Sequence, residues 1–153
     1  MTVGITAFGG YVPRLRLNRQ AVVEANAWFA PGLKAYAKGE RAICNWDEDA
    51  LTLAVEAARD CLAGKQPDDL DALYFASTTH PFADRQNAGV LATALQLGED
   101  LATSDVSASQ RAGTSGLLTA LKALQGVGSS ALYVAADNRK TRAAGNAELL
   151  FGA

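Results

Sequence analysis

The stretch SDVSASQRAGTSGL, residues 104–117, joins a predicted buried strand directly to a predicted buried helix, with Gln110 and Arg111 at the junction. The free N–H groups and the positive end of a helix at such a turn lower the pKa of a thiol or hold an oxyanion. Neither glutamine nor arginine is a nucleophile, so this turn can offer hydrogen bonds but not covalent attack. The alternative is a tight turn in which both residues only cap the helix.

A second polar stretch, ASTTHPFADRQN at residues 76–87, follows a predicted strand. Its side chains are therefore expected at the carboxyl end of that strand, where open parallel sheets have their binding sites. His80 is the single histidine of the chain and a candidate general base. The alternative is a structural or solvated loop histidine, and Pro81 favours an extended or turn backbone at His80.

Apolar strands alternate with helices along the chain. Strands are predicted at 3–13, 70–77, 101–108, 130–138 and, as the start of one more, 147–153. Helices are predicted at 17–29 with Asn18 as the N-cap, 46–64, 85–98 and 112–126, and a loop is predicted at 30–45. We therefore expect an α/β fold with a mostly parallel sheet and helices on both faces, in α-β-α layers. Because the helix at 112–126 is apolar on nearly every side, we expect both of its faces to be buried and its first residue to lie in a dry pocket.

The composition is that of one ordinary globular domain of 153 residues, 49% hydrophobic and 20% charged, with a net charge of −2. This balance predicts neither nucleic acid nor a membrane as a partner. No apolar run approaches the roughly 18 residues that cross a bilayer. One histidine with Cys44 and Cys61 predicts no metal site. The first apolar residues precede the arginines, the reverse of a signal peptide, so we expect a cytoplasmic protein.

The dinucleotide-binding motif of Rossmann domains is missing from the first predicted strand–helix junction. The glycines of FGGYVPRLR are followed by proline and arginine rather than by a helix start, so G-x-G-x-x-G is not formed. No phosphate-binding G-x-x-x-x-G-K-[ST] loop is present either. These absences argue against a nucleotide-binding domain.

Five motifs, in order, resemble the N-terminal half of the thiolase superfamily. They are VGITAFGGYVPR, WDEDALTLAVEAARDCL, YFASTTHPFA, SDVSASQRAGTSGL and YVAADNR. Within that superfamily they resemble 3-hydroxy-3-methylglutaryl-CoA synthases of the archaeal and bacterial type, with ketoacyl synthase III more distant. The resemblance covers residues 3–153. It implies a thiolase-like half that handles acyl-CoA or acyl-carrier thioesters as an acyltransferase, without a metal or redox cofactor.

In that family a cysteine at the start of the buried helix takes an acetyl group, and a glutamate after a strand acts as acid and base. A histidine of the C-terminal half helps to position the second acyl-CoA. By the resemblance, the cysteine position is Gln110, five residues after Asp105, and the glutamate position is Thr78, two residues before the His-Pro pair. His80 and Gly113 match the family pattern. Both catalytic groups that this half should supply are therefore absent.

This loss determines the predicted chemistry. An amide at Gln110 cannot form an acyl-thioester, but it can donate a hydrogen bond to a thioester carbonyl. Glutamine there resembles decarboxylating condensing domains, which need only to stabilise an enolate. Gln110 and Thr78 are therefore the predicted catalytic positions. Arg111, His80 and Gly113 are predicted to bind substrate, with an exposed cap as the alternative role of Arg111. The alternative function is a catalytically silent partner of an active thiolase-like or acyl-CoA-binding subunit.

The family packs two similar halves face to face with the active site between them. This chain has the length of one half, so residues 1–153 are predicted to be the N-terminal domain of a chain about twice as long. A separately encoded half-protein is the alternative. We expect an acyl-CoA-type small molecule as ligand. We also expect a homodimer or hetero-oligomer, because an uncovered apolar helix face would need a second chain.

Overall fold

The computed structural model describes residues 2–65, 67–125 and 129–152. Its helices and strands, in chain order, are β1 (Leu15–Asn18), α1 (Arg19–Asn26), β2 (Glu40–Ile43), α2 (Ala50–Leu62), β3 (Ala72–Ala76), α3 (Asn87–Ala94), β4 (Ala102–Val106), α4 (Ala112–Ala123), β5 (Ala131–Ala135) and α5 (Asn146–Leu150). Two 3₁₀ turns are at Pro31–Tyr36 and Pro67–Asp69. Residues up to Tyr11 and Asp49–Asp137 form one compact unit, and Val12–Glu48 with the residues from Asn138 form a second.

The first unit is built on a parallel sheet in the order β4–β3–β5. Side chains alternate between the two faces of each strand, so one face packs with α2 and α3 and the other contacts α4. The buried core of this unit is Ala50, Leu51, Ala54, Ala58, Leu73, Phe75, Ala88, Leu91, Leu132 and Val134. The predicted α/β fold, with a parallel sheet between helices, is confirmed.

Most element predictions are also confirmed, with shorter bounds. The strands β3, β4 and β5 lie within the predicted ranges, as do α1, α2, α3 and α4. The predicted N-cap is confirmed, because the side-chain oxygen of Asn18 accepts hydrogen bonds from the amides of Gln20 (2.8 Å) and Ala21 (3.3 Å). Within the described ranges, no helix is long and apolar enough to cross a membrane.

The strand predicted at 3–13 is wrong, since residues 3–13 adopt no regular secondary structure. The segment packs on the end of α2 instead of joining a sheet. Gly9 lies so close to α2 that a Cβ there would overlap the backbone of Cys61. The amide of Gly10 donates to the carboxylate of Asp60 (2.9 Å). A side chain of the helix therefore takes an N–H group that a strand would have given to a ladder.

The strand predicted to start at 147–153 is also wrong, because residues 146–150 form α5. Glu148 accepts a hydrogen bond from the amide of Ala144 (2.6 Å), which fixes the helix start. Leu149 is buried against the core of the second unit, formed with Val22, Val23 and Leu33. A single helical turn needs only one apolar side chain that points inward. The hydrophobic pattern of so short a segment therefore does not distinguish a helix from a strand.

The loop predicted at 30–45 contains two elements, the turn Pro31–Tyr36 and the strand β2. β2 pairs antiparallel with β1, with Leu15 opposite Ile43 and Asn18 opposite Glu40. A four-residue edge pair carries too few alternating positions to be recognised from the sequence.

The helix α4 is buried on one face, not on both as predicted. Ala112, Gly116 and Ala120 are buried against the sheet, whereas Leu118 is 53% exposed. The exposed face also carries polar residues, among them Thr114, Ser115 and Thr119. The reason is geometric, because the sheet of this unit can cover one side of the helix only.

Gly116 lets α4 approach the sheet closely. A Cβ at this position would lie 2.9 Å from the phenol oxygen of Tyr133 and 3.3 Å from Cγ1 of Val106. At Gly113, by contrast, a Cβ would meet the Cβ of Ala135 at an ordinary 3.8 Å. The two helical glycines therefore differ in their tolerance of a methyl group.

We expect Gly116→Ala to lower the free energy of unfolding by about 1–3 kcal/mol, because overpacking outweighs the helix propensity gained. Gly113→Ala should leave the free energy of unfolding unchanged or raise it by up to about 1 kcal/mol. Urea unfolding of the two variants, one turn apart on the same helix, measures the difference. Equal changes in the free energy of unfolding of the two variants would contradict the close contact at Gly116.

Candidate functional site

A pocket of about 170 Å³ lies where β3 and β5 end and α4 begins. It is lined by Ala76, Ser77, Thr78, Gln110, Ala112, Gly113, Ala135, Ala136 and Asp137. Three residues predicted to carry the site, Gln110, Thr78 and Gly113, therefore share one pocket. They come together because parallel strands end at the same edge of the sheet and α4 starts at that edge.

The carboxylate of Asp137 organises the floor of this pocket. Its Oδ1 accepts hydrogen bonds from the amide of Thr78 (2.6 Å), the hydroxyls of Thr78 and Ser77 (3.0 Å each) and the hydroxyl of Thr79 (3.3 Å). The loop after β3 is thus tied to the end of β5. The hydroxyl proton of Thr78 is directed at Asp137 and is not aimed at a ligand in the pocket.

Sequence reasoning missed Asp137. The residue lies two positions after the end of the apolar strand β5, as Thr78 lies two positions after the end of β3. The strand predicted at 130–138 contains Asp137, so the rule of carboxyl strand ends applies to this residue only because β5 ends at Ala135. It is the one carboxylate among the described residues that line this pocket.

The turn before α4 is held by Ser109 rather than by Gln110 or Arg111. The Ser109 carbonyl accepts from the amide of Ala112 (2.9 Å), and its hydroxyl accepts from the amide of Arg111 (3.1 Å). Arg111 stands at the N-cap position, but its side chain makes no capping bond. Gln110 and Arg111 are exposed, so the predicted dry setting is wrong for this chain, in which α4 is covered on one face.

Tyr133 contacts the first turn of α4 from the sheet. Its phenol donates to the carbonyl oxygens of Gly113 and, at 3.3 Å, Ala112. Burial raises the pKa of Tyr133 above its ordinary value of 10.0, and a hydrogen bond with the backbone of Leu117 partly opposes that rise. The phenol therefore keeps its proton through neutral and moderately alkaline pH.

His80 and Arg111 do not line the pocket. The His80 ring packs edge-on against Phe75, with the ring centroids 4.7 Å apart. Its Nε2 is buried and has no hydrogen-bond partner within the part of the chain that the structure describes. The geometry here is that of a packed loop histidine, the alternative considered for this residue.

Asp105 fixes the position of the loop that carries Thr78 and His80. Its carboxylate accepts from the amide (2.8 Å) and side-chain amide (2.9 Å) of Asn87 and from the amide of Ala88 (2.7 Å), at the start of α3. The buried side chain of Asn87 in turn exchanges two 3.0 Å hydrogen bonds with the backbone of Phe82. β4, the loop and α3 are thereby joined. No group of three or more His, Cys, Asp or Glu that could hold a metal occurs in the described ranges.

No protein-family model matches the chain. Among curated proteins, it is 30% identical to the hydroxymethylglutaryl-CoA synthase of Archaeoglobus fulgidus, over 98% of this chain and 48% of the relative. It is 32% and 34% identical to the hydroxymethylglutaryl-CoA synthases of Thermococcus onnurineus and Thermococcus gammatolerans, over 99% of this chain and 43% of each relative. The chain spans about half the length of the curated relatives it matches.

Solved structures with the same fold include a variant of OleA from Xanthomonas campestris, with a TM-score of 0.78 at 19% identity, covering 88% of this chain and 43% of that one. A 3-oxoacyl-(acyl-carrier-protein) synthase III also has a TM-score of 0.78, at 22% identity over 90% of this chain and 42% of that one. The chain resembles the N-terminal half of a hydroxymethylglutaryl-CoA synthase. Its α/β fold is thiolase-like, as the motifs predicted.

The loop after β3 depends on the carboxylate of Asp137. We expect Asp137→Ala to lower the free energy of unfolding by about 1–3 kcal/mol, because the amide of Thr78 and the nearby hydroxyls lose a charged acceptor. Asp137→Asn keeps an acceptor oxygen, so its free energy of unfolding should fall by less. Urea unfolding of both variants tests this ordering, and a larger loss for the asparagine variant would contradict it.

The raised pKa of Tyr133 predicts a pH dependence of the free energy of unfolding. Above pH 10 the unfolded chain releases the phenol proton while the folded chain retains it, so the contribution of Tyr133 is complete below about pH 10 and declines above it. We expect the stability advantage of the wild type over Tyr133→Phe to be constant from pH 7 to 9 and to shrink at higher pH. Urea unfolding at a series of pH values measures it, and an advantage that grows above pH 10 would contradict the direction.

Proposed function

We propose that the chain is one half of a hydroxymethylglutaryl-CoA synthase-like protein that handles acyl-CoA or acyl-carrier thioesters without a covalent acyl-enzyme. The observation that carries this proposal is that Gln110 and Thr78 line one pocket at the start of α4. By the resemblance of the motifs, these two residues take the positions of the family's cysteine and glutamate. The likeness to hydroxymethylglutaryl-CoA synthases over nearly the whole chain supports the substrate class. A related OleA variant was crystallised with lauric acid and lauroyl-CoA.

The route is non-covalent because the described lining of the pocket contains no cysteine. Cys61 lies on α2 and lines a different cavity, and Cys44 belongs to the second unit. The side-chain amide of Gln110 can donate to a thioester carbonyl oxygen but cannot displace the thiol.

The reaction that these groups serve best is decarboxylation of a malonyl-type thioester. The bond between the α-carbon and the carboxylate breaks, carbon dioxide leaves, and the electron pair forms a thioester enolate. Gln110 stabilises the negative charge on the enolate oxygen with its N–H. The α-carbon then takes a proton from water, which reaches the exposed side chain of Gln110, and an acetyl thioester results. The hydroxide that remains combines with the released carbon dioxide as bicarbonate.

A second candidate is a catalytically silent partner of an active thiolase-like or acyl-CoA-binding subunit. It is favoured by the hydroxyl of Thr78, which donates to Asp137 at 3.0 Å and so supplies no free acid. Stable assembly of the natural protein with such a subunit, together with no turnover of acyl-CoAs, would support this role.

The test is malonyl-CoA decarboxylation by the natural protein that contains this chain, followed by chromatography of the acetyl-CoA formed. Gln110→Ala should reduce the rate by about 10²-fold, the loss typical of one oxyanion donor. Gln125→Ala, just beyond the far end of α4, is the matched control and should leave the rate unchanged. An unchanged rate in Gln110→Ala would overturn the role of Gln110, and no turnover by the wild type would favour the silent partner.

A gain of function provides a second prediction. In Gln110→Cys, a thiol replaces the amide at the helix start, where its pKa is lowered. We expect this variant, incubated with acetyl-CoA, to acquire the mass of one acetyl group at position 110, and the wild type to acquire none there. Peptide mapping by mass spectrometry locates the label. Acetylation of the wild-type protein at Gln110 would contradict the non-covalent route.

A further inference from the structure

We propose that Tyr133 is a positioning residue, whose phenol orders and polarises the first turn of α4 and so sets the hydrogen-bonding power of the turn at Gln110. Its role in a reaction rests on the proposed function, whereas its effect on the turn does not. Tyr133 does not line the pocket itself and acts through the helix backbone.

The contact joins the middle of β5 to the two residues that line the pocket at the start of α4. The single phenol proton is shared between the carbonyl oxygens of Gly113 and, at 3.3 Å, Ala112. Both carbonyls follow Gln110 by two or three residues. The strand β5 thus holds the turn that carries the exposed side chain of Gln110.

The hydrogen bonds also act on the N–H groups of the same peptide units. The Ala112 carbonyl shares its peptide with the amide of Gly113, and the Gly113 carbonyl with the amide of Thr114. A donor on a carbonyl polarises the peptide and strengthens its N–H as a donor. In the described structure, the amides of Ala112 and Ser115 donate to backbone carbonyls of the turn, whereas no such acceptor is found for the amides of Gly113 and Thr114.

Gly116 leaves the space on α4 that the phenol ring of Tyr133 occupies. A Cβ at Gly116 would lie 2.9 Å from the oxygen and 3.1 Å from Cε2 of Tyr133, so a larger residue would push the ring away from the turn. A glycine inside a helix is less favourable than an alanine. The structural reason for a glycine at this position is that it leaves room on α4 for the large side chain on β5.

The phenol must remain protonated to donate, and its burial favours this state. Burial raises the pKa of Tyr133, so the donor is present over the whole range in which a thioester is stable enough to be a substrate. The positioning effect should therefore not vary between pH 6 and 9.

The experiment uses a thiol as a reporter of the turn. Gln110→Cys is made in the full protein, and the pKa of the introduced thiol is obtained from the pH dependence of its alkylation by iodoacetamide. Mass mapping separates this thiol from Cys44 and Cys61. We expect a pKa below the ordinary value of about 8.5, as at other helix starts.

Adding Tyr133→Phe should raise the pKa of the introduced thiol by about half a unit and slow its alkylation at neutral pH about threefold. Tyr74→Phe is the matched control. Tyr74 is the register partner of Tyr133 on β3, and its phenol makes no hydrogen bond to α4 among the described residues. The control should leave the pKa unchanged. Gly116→Ala, which displaces the ring without removing it, should raise the pKa in the same way as Tyr133→Phe.

An unchanged thiol pKa in Tyr133→Phe, or an equal rise in Tyr74→Phe, overturns the proposal. If Tyr133→Phe does not fold, the thiol pKa in Gly116→Ala decides: a raised pKa supports the proposal and an unchanged pKa overturns it. A raised pKa with no decarboxylation by the wild type leaves the positioning role intact and refutes the reaction. Decarboxylation without any change in the thiol pKa supports the proposed function and refutes the positioning role.

Discussion

The position of the pocket depends on how closely α4 can approach the parallel sheet. Gly116 removes the Cβ that would otherwise meet Tyr133 and Val106, and the helix therefore rests directly on β4 and β5. Its first turn consequently lies beside the carboxyl ends of the strands, where the loop after β3 also begins. A helix held one side chain farther away would leave the same residues without a common pocket. Tight packing in the layer, rather than any one polar contact, creates the site.

The carboxylate of Asp137 and the exposed residue Gln110 line the same pocket. Oδ1 of Asp137 accepts hydrogen bonds from the backbone and hydroxyls of the loop after β3, and this ties that loop to the end of β5. Gln110 lines the pocket from the turn before α4. Under the proposed function, its side-chain amide donates to a thioester carbonyl there.

The regular part of the fold was accessible from the sequence because its signals are local. Asn18 precedes a helix and caps it, and the stretches at 70–77, 101–108 and 130–138 contain the three strands of the parallel sheet. The errors occur where a distant contact decides the structure. Residues 3–13 have the composition of a strand, but Asp60, about fifty positions away in the chain, takes the amide of Gly10. The resemblance to a family identified Gln110 and Thr78, whereas Asp137 needed the sheet register, which brings the ends of β3 and β5 side by side.

The second unit is discontinuous, and this affects the order in which it can fold. Its core joins Val22, Val23 and Leu33 to Leu149, and Arg19 donates to the carbonyl of Leu149 at 2.8 Å, across 130 positions of the chain. Closing a loop of that length is entropically unfavourable and slow compared with local pairing. During synthesis on the ribosome, the earlier segment leaves the exit tunnel long before its closing residue is made. Until then, the core formed by Val22, Val23 and Leu33 lacks the side chain that completes it.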